Sequence, residues 1–343
     1  MKRPAEILAL DVGGANLKAA HSRGLACSLP FSLWRDPEGL GARLRVLMKD
    51  LPEFDSVLLT TTAELCDCFA TKSQGVLSVL DAVRSAMDGQ PIAIWGIDGR
   101  FHDVLEIREQ PRVAAAANWL ALATVAARKI GMEHGILVDI GSTTTDLIPL
   151  KNGRVTARGR TDTERLQTSE LIYAGVRRTP LCALATSLPF RSQATGLAAE
   201  LFATTFDVFL TLGQISEKPD DRETADGRPA TRLAARDRLA RMIGADREEF
   251  SEKDALEFAE ACRDALLDRL LQAVLAIIAN GSAQPAIAVV SGSGEFLARK
   301  LVERTFGNEV RVLSLSELWS PAASEAACAR ALLELIEWEP ERR

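Results

Sequence analysis

Apolar runs broken by glycine turns occur twice in this chain, and the elements they predict repeat with them. The stretch 136–150 reads Ile-Leu-Val-Asp-Ile-Gly-Ser-Thr-Thr-Thr-Asp-Leu-Ile-Pro-Leu. An apolar run reaches Asp139, Gly141 breaks it, the three threonine hydroxyls of Thr143, Thr144 and Thr145 and then Asp146 follow, and a second apolar run returns. That spacing predicts a strand, a tight turn and an antiparallel strand. The same pattern opens the chain at 7–20, with Asp11 matching Asp139 and Gly13 matching Gly141. Each copy leads to a third apolar run, 25–31 after Ser22-Arg23-Gly24 and 155–157 after Lys151-Asn152-Gly153-Arg154. The second of these connections is a strong hairpin signal. Two three-strand meanders opened by one kind of turn predict two related halves facing each other.

Between the meanders the pattern predicts a helix to about 49, with Asp36 as cap and Pro37 in its first turn. A strand at 56–60, an amphipathic helix at 75–87 and a strand at 91–95 follow. Pro111 then opens an alanine-rich helix over 113–129. The order is βββαβαβα, and the second half starts again with βββ. Residues 214–228 turn polar and predict a loop, and 231–243 and 251–279 read as two helices. They form a helical insertion at about 215–280. A buried strand at 286–290 turns through Ser291-Gly292-Ser293-Gly294 into a helix at 295–305, followed by a strand at 310–313 and a last helix at 322–338. The expected division is 1–130 and 131–321, with 322–343 packing back on the first domain.

At 343 residues the chain can fill two cores, and its net charge of −6 is dispersed, without basic clusters interleaved with aromatics. Nucleic acid is therefore not an expected partner. The most apolar stretch, 270–279, is too short to span a bilayer. The first strand begins at once, which leaves no room for a signal peptide. A cytoplasmic protein acting on small molecules is expected, its oligomeric state left open. Six scattered cysteines, only Cys66 and Cys68 close together, and three distant histidines form no zinc spacing.

The glycine turns are phosphate-sized. Gly13, Gly14, Gly141 and Ser142 let the backbone approach an anion, and Asn16, Thr143 and Thr144 add polar side chains. Asp11, Asp139 and Asp146 would repel a bare phosphate, which calls for a divalent cation such as Mg2+ between them. Glu64, Asp67 and Lys72 follow a buried strand, at the end where open α/β sheets bind ligands. Helix capping and a solvated face would explain them equally well. Asn118 is either a buried hydrogen-bonder or a cleft residue. Tyr173 is the chain's one tyrosine. Arg177 and Arg178 should point to opposite faces, one reaching a phosphate and the other a surface ion pair. Gly292 and Gly294 make a corner for an anion or a nucleoside, without a third glycine to complete a dinucleotide fingerprint.

Two Asp-Gly turns, each opening βββαβα, and a late strand–glycine–helix corner resemble the actin and sugar-kinase superfamily. The resemblance implies an α/β fold of two ribonuclease-H-like domains, of the actin-like ATPase kind, closing over a cleft. Asp139-Ile-Gly-Ser-Thr-Thr-Thr-Asp146 is similar to the version found in the hydantoinase A/oxoprolinase group. Thr62-Ala-Glu-Leu with Asp67, Phe69 and Lys72, Ala116-Ala-Asn-Trp119, Thr161-Asp162 with Arg165, Glu170-Leu-Ile-Tyr173, Arg178-Thr179 and Ala225-Asp-Gly227 extend the likeness over nearly the whole chain. Together they resemble the tetrahydromethanopterin-linked C1-transfer family, whose archaeal members are synthases of methanofuran biosynthesis. What this implies is a transferase that joins an aminomethyl-furanmethyl diphosphate to a tyramine- or tyrosine-derived phenol and releases pyrophosphate. Lys18, the turn amides and a bound cation would neutralise the leaving group, and Glu64 or Asp67 would take the phenol proton. Asn16 stands where many ATPases of the superfamily carry Thr or Ser. The alternatives are an ATP-dependent small-molecule kinase or hydantoinase-type hydrolase, and a non-catalytic ATP-binding regulator.

Overall fold

The computed structural model describes residues 5–338. Its first half runs β1 (Ile7–Val12), β2 (Asn16–His21), β3 (Ala26–Pro30), α1 (Leu40–Met48), β4 (Ser56–Thr61), α2 (Lys72–Ala86), β5 (Ile92–Trp95), β6 (Phe101–His102), α3 (Val104–Glu109) and α4 (Asn118–Ile130). The strands lie in the order β3-β2-β1-β4-β5-β6, with β1 antiparallel to β2 and parallel to β4. The second half begins with β7 (His134–Ile140), β8 (Thr145–Lys151), β9 (Arg154–Val155), α5 (Asp162–Gln167) and β10 (Leu171–Ile172). A hairpin of β11 (Ser187–Phe190) and β12 (Gln193–Gly196) follows, then α6 (Thr205–Thr211), α7 (Arg232–Arg241) and α8 (Glu252–Ala279). The chain closes with β13 (Ile287–Ser291), α9 (Glu295–Phe306), β14 (Arg311–Ser314), α10 (Leu315–Leu318), α11 (Pro321–Glu325) and α12 (Ala327–Trp338). The second sheet has the order β10-β8-β7-β13-β14, with β9 on β8. The same strand path, antiparallel then parallel, occurs in both halves. The molecule is an α/β fold of two ribonuclease-H-like units of the actin-like type.

The central strands explain why their apolar runs are unbroken. β1 sends Leu8, Leu10 and Val12 into a core under α1 and α2, and Ala9 to the opposite face. β7 splits Ile136, Val138 and Ile140 from Leu137 in the same way. Strands covered on both faces need no polar side. Ala9 and Leu137 meet in one shared core, which α4 and α12 fill between the two sheets. Ala121, Ala123, Ala126 and Ala127 of α4 are fully buried there, small enough to let helix and sheet approach closely. α12 packs on α4, β1, β2 and β4, so the last described helix lies on the first half, and 339–343 of the expected 322–343 segment fall outside the described residues.

Three elements depart from the periodicity. The alanine-rich helix begins at Asn118, not 113, because Ala115 pairs with Thr61 at the end of β4 and Ala116 takes a φ of 47°. The second meander's third strand stops at Val155, where Thr156 turns both its N–H and its hydroxyl onto the Pro149 carbonyl. The insertion starts well before 215, with β11, β12 and α6. All seven residues of α6 are buried, so it shows no 3.6-residue alternation. Its Asp207 accepts a 2.6 Å hydrogen bond from the buried Arg238, which also reaches Asp226 at 3.0 Å and so anchors the polar loop. Among the described residues no helix is long and apolar enough to cross a membrane.

Candidate active site

The glycine turns face each other across the seam between the halves, where Asn16 Nδ2 donates to Ser142 Oγ at 3.1 Å. Each turn closes on itself: the Gly13 N–H donates to the Asn16 carbonyl at 3.0 Å and the Gly141 N–H to that of Thr144 at 2.9 Å. The amides a turn can offer an anion are therefore those of the residues that follow, Gly14 and Ser142. A Cβ at Gly14 would stand 2.6 Å from Cys66 Sγ, so a side chain there would have to displace that thiol.

Asp11 lies opposite Lys18 on the β1–β2 ladder, and Asp139 lies opposite Asp146 on the β7–β8 ladder. Burial raises the pKa of Asp11, while Lys18 and a hydrogen bond from the Asn118 side chain oppose the rise. Asp139 is pushed up to about 6, by burial first and then by the Asp146 charge, against a 2.6 Å hydrogen bond from Ser291 Oγ. Burial lowers the pKa of Lys18, yet Asp11 and the other acids around it, Asp139 included, leave it above its ordinary value. This ammonium stands near both aspartates and offsets their charge.

Asp146 is held differently. Arg165, 2% exposed, donates to Asp146 Oδ1, lies 3.5 Å from Asp162 and stacks on Trp119 at 4.2 Å. Thr161 and Glu164 form a capping box that starts α5 and places Arg165 one turn on. The magnesium expectation can be tested on this donor set. Asp146 is already paired, Asp139 accepts from Ser291, Lys18 supplies charge beside Asp11, and only Asp11 Oδ1 is a buried carboxylate oxygen without a partner among these three residues. Among the described residues no three His, Cys, Asp or Glu side chains gather into a ligand group. Lys18 beside Asp11 and Asp139, and Arg165 on Asp146, supply positive charge where the sequence called for a cation.

The Asn16–Ser142 contact separates two chambers. One, of about 380 Å³, is lined by Gly14, Asp67, Asn118, Thr143, Thr144, Asp146, Tyr173 and Arg178. The other, of about 490 Å³, is lined by Asn16, Lys18, Ser142 and Gly292, with Arg177 and Lys218 beside them. Gly294 lies outside both linings, and a Cβ there would meet Ile140 and Val176 at 2.6 Å, so it serves packing. Gly292 has a φ of 89° and also faces the Ile140 carbonyl. The adjacent arginines diverge as an extended segment requires: Arg177 pairs with Asp221 at 2.6 Å, and Arg178 enters the first chamber.

Glu64 does not line either chamber. It is 1% exposed, seated where Gly75 of α2 approaches its backbone too closely for any Cβ. Burial, with Asp162 adding to it, pushes its carboxyl up to about 7, and its Oε2 has no hydrogen-bond partner. Lys72 acts on both Glu64 and Asp162. Three further residues complete the first chamber: Trp34, which the sequence did not mark, and Asp162 and Arg165, which entered only through the family resemblance. The Thr161-x-x-Glu164 box was the available signal for the last two.

Against known protein families, the hydantoinase/oxoprolinase model matches residues 55–332. The chain belongs to the hydantoinase/oxoprolinase family. This family member is 32% identical over 335 residues to the (4-{4-[2-(gamma-L-glutamylamino)ethyl]phenoxymethyl}furan-2-yl)methanamine synthase of Methanocaldococcus jannaschii, covering 96% of this chain and 97% of that one. It is 34% identical over 192 residues to the protein of the same name from Methanococcus vannielii, covering 56% of this chain and 85% of that one. Among solved structures it is similar to the ethanolamine utilization protein EutJ of Carboxydothermus hydrogenoformans, at 16% identity, 96% and 91% coverage and a TM-score of 0.48.

Proposed function

We propose that this protein is a transferase that joins a phenol to a furanmethyl carbon with loss of diphosphate, as in methanofuran-type C1-carrier biosynthesis. The carrying observation is the 32% identity to the synthase, extending over 96% of this chain and 97% of that one. The carbon–oxygen bond to the diphosphate breaks, its electron pair leaving with the phosphate oxygen. The phenol oxygen supplies the pair for the new ether bond, and its proton goes to a protein carboxylate. The electron-rich furan stabilises positive charge at the carbon, so the enzyme's task is to hold the leaving group and take the proton.

Lys18, the Gly14 and Ser142 amides and the Asn16 side chain converge on the seam, where developing diphosphate charge is best met by fixed donors. The phenol enters the first chamber beside Tyr173 and Trp34. Asp162 faces that chamber and is placed to take the proton from a phenol of pKa about 10, while Glu64, buried behind it with its carboxyl pushed up to about 7, acts on Asp162 by charge. Asp67 lines the same chamber, exposed to water. The test is pyrophosphate release from an aminomethyl-furanmethyl diphosphate plus a tyramine- or tyrosine-derived phenol, with and without ATP. Pyrophosphate formed without ATP supports the coupling. ADP formed in its place would make the protein a kinase or ATP-driven hydrolase.

A further inference from the structure

We propose that Arg178 selects the phenol acceptor by gripping a carboxylate at the end remote from the reacting oxygen. This rests on the coupling reading above. The product named for the relatives carries a γ-glutamyl group, whose free α-carboxylate lies far from the phenol oxygen. Arg178 is built to meet such a group. Its backbone N–H donates to the Ser142 carbonyl at 2.9 Å, which ties it to the second glycine turn. Its guanidinium lies over the Trp34 ring at 4.4 Å, and Trp34 belongs to the first half, so the stacked pair crosses the cleft. Stacking fixes the plane of the fork while leaving its N–H edges open for bidentate bonding. Among the described residues no carboxylate lies within 4.0 Å of the Arg178 guanidinium, whereas Arg177 next to it is paired with Asp221 at 2.6 Å and covered by Phe206. Glu223 is the leading acid acting on it by charge, and the oriented guanidinium lining the chamber is open to an incoming anion.

Either substrate could supply a pair of oxyanions. The chamber favours the acceptor. Asp67, Asp146 and Asp162 line it with Arg178, which disfavours a polyanionic diphosphate but tolerates one carboxylate held at the guanidinium. The second chamber sets Lys18, Lys218 and the Asp221-paired Arg177 against Glu295 and Glu325, which leaves it less acidic and better suited to the diphosphate.

The experiment measures pyrophosphate release by wild type, Arg178→Gln and Arg178→Lys with γ-glutamyl-tyramine, tyrosine and 4-methylphenol as acceptors. The wild type should prefer the carboxylate-bearing acceptors. Arg178→Gln should raise KM for those on the order of 10- to 100-fold, as expected for loss of a charged hydrogen-bonding pair. Its KM for the furan diphosphate should stay within about twofold, and its loss of kcat/KM with 4-methylphenol should be at least about tenfold smaller than with the carboxylate-bearing acceptors. Arg178→Lys should recover only part of the preference, having charge without the fork. Unchanged discrimination in Arg178→Gln overturns the assignment, and an equal rise of the diphosphate KM with every acceptor moves Arg178 to the leaving group. If wild type releases no pyrophosphate with any phenol, the coupling reading falls, a result distinct from both.

Discussion

Laid over one another, the two glycine turns match in backbone. Gly13 closes on Asn16 as Gly141 closes on Thr144, and both rise from the central strand of their sheet. Their charges do not match. Opposite Asp11 the ladder places an ammonium, Lys18, and opposite Asp139 it places a second carboxylate, Asp146. The parallel neighbours differ as well. Ser291 bonds Asp139 at 2.6 Å, but Thr60, in the matching place beside Asp11, leaves its hydroxyl without a partner. The second turn is quieted by residues around it, Ser291 and the buried Arg165. The first keeps its cation within the turn's own strands and lines a chamber with it. The chemistry therefore sits where the two copies diverge, and each divergence can be removed singly.

The largest effect should come from Lys18→Met, which removes the one cation that belongs to a turn. Loss of a preorganised charge at a leaving group should lower kcat on the order of 10²- to 10³-fold. The measurement is single-turnover pyrophosphate release. A kcat within a few-fold of wild type would leave Lys18 as a counter-charge for Asp11 and Asp139 alone.

Asp146→Asn leaves Asp139 as the one carboxylate of the second turn and should act on stability rather than chemistry. Arg165 is 2% exposed and would lose its main partner, with Asp162 at 3.5 Å the remaining acid. Breaking a buried pair from one side costs about 3 kcal/mol, read from denaturant unfolding. Replacing both partners, Asp146→Asn with Arg165→Met, should recover part of that loss. A variant of unchanged stability whose diphosphate binding no longer depended on Mg2+ would return a metal to Asp146.

Glu64 gives the pH-dependent test. Its carboxyl is raised from 4.5 to about 7 in the fold, so its contribution to stability is full below about 4.5 and is lost as pH rises through 7. A shift of that size corresponds to roughly 3–4 kcal/mol. Glu64→Gln should flatten the fall in stability between these pH values and remove the inflection near 7 that its charge on Asp162 gives the pH–rate profile. An unchanged profile would leave the base, Asp162 or Asp67, untouched by Glu64.

The repeat itself was readable because both central strands are buried on two faces and both turns keep their Asp-x-Gly spacing. The periodic helices, α2, α8 and α9, were readable for the same reason. What escaped was structure without period or with distant partners. α6 is buried all round, and α4 starts late because Ala115 is drawn into a pairing with Thr61. In the site, the aspartates and glycines announced themselves locally. Arg165 and Trp34 did not, because their partners Asp146, Trp119 and Arg178 lie 19, 46 and 144 residues away along the chain, and Asp162 joins the site through Arg165. The demand for a cation near the aspartates was legible, but its identity depended on which side chains fold into reach.

The smallest expected effect concerns the contact that joins the turns. Asn16 Nδ2 to Ser142 Oγ, at 3.1 Å, is a neutral, part-buried hydrogen bond between the two halves. Such a bond contributes about 1 kcal/mol, so Asn16→Ala and Ser142→Ala should each cost about that much and their combination hardly more than either alone. The coupling term of this double-mutant cycle is the quantity to measure, first in stability and then in the KM for the furan diphosphate. Because Asn16 and Ser142 line the diphosphate chamber, a ligand that draws both side chains toward itself should abolish their coupling when bound. Coupling that persists at saturating diphosphate would mean the seam stays shut, and the two chambers could not then serve one displacement.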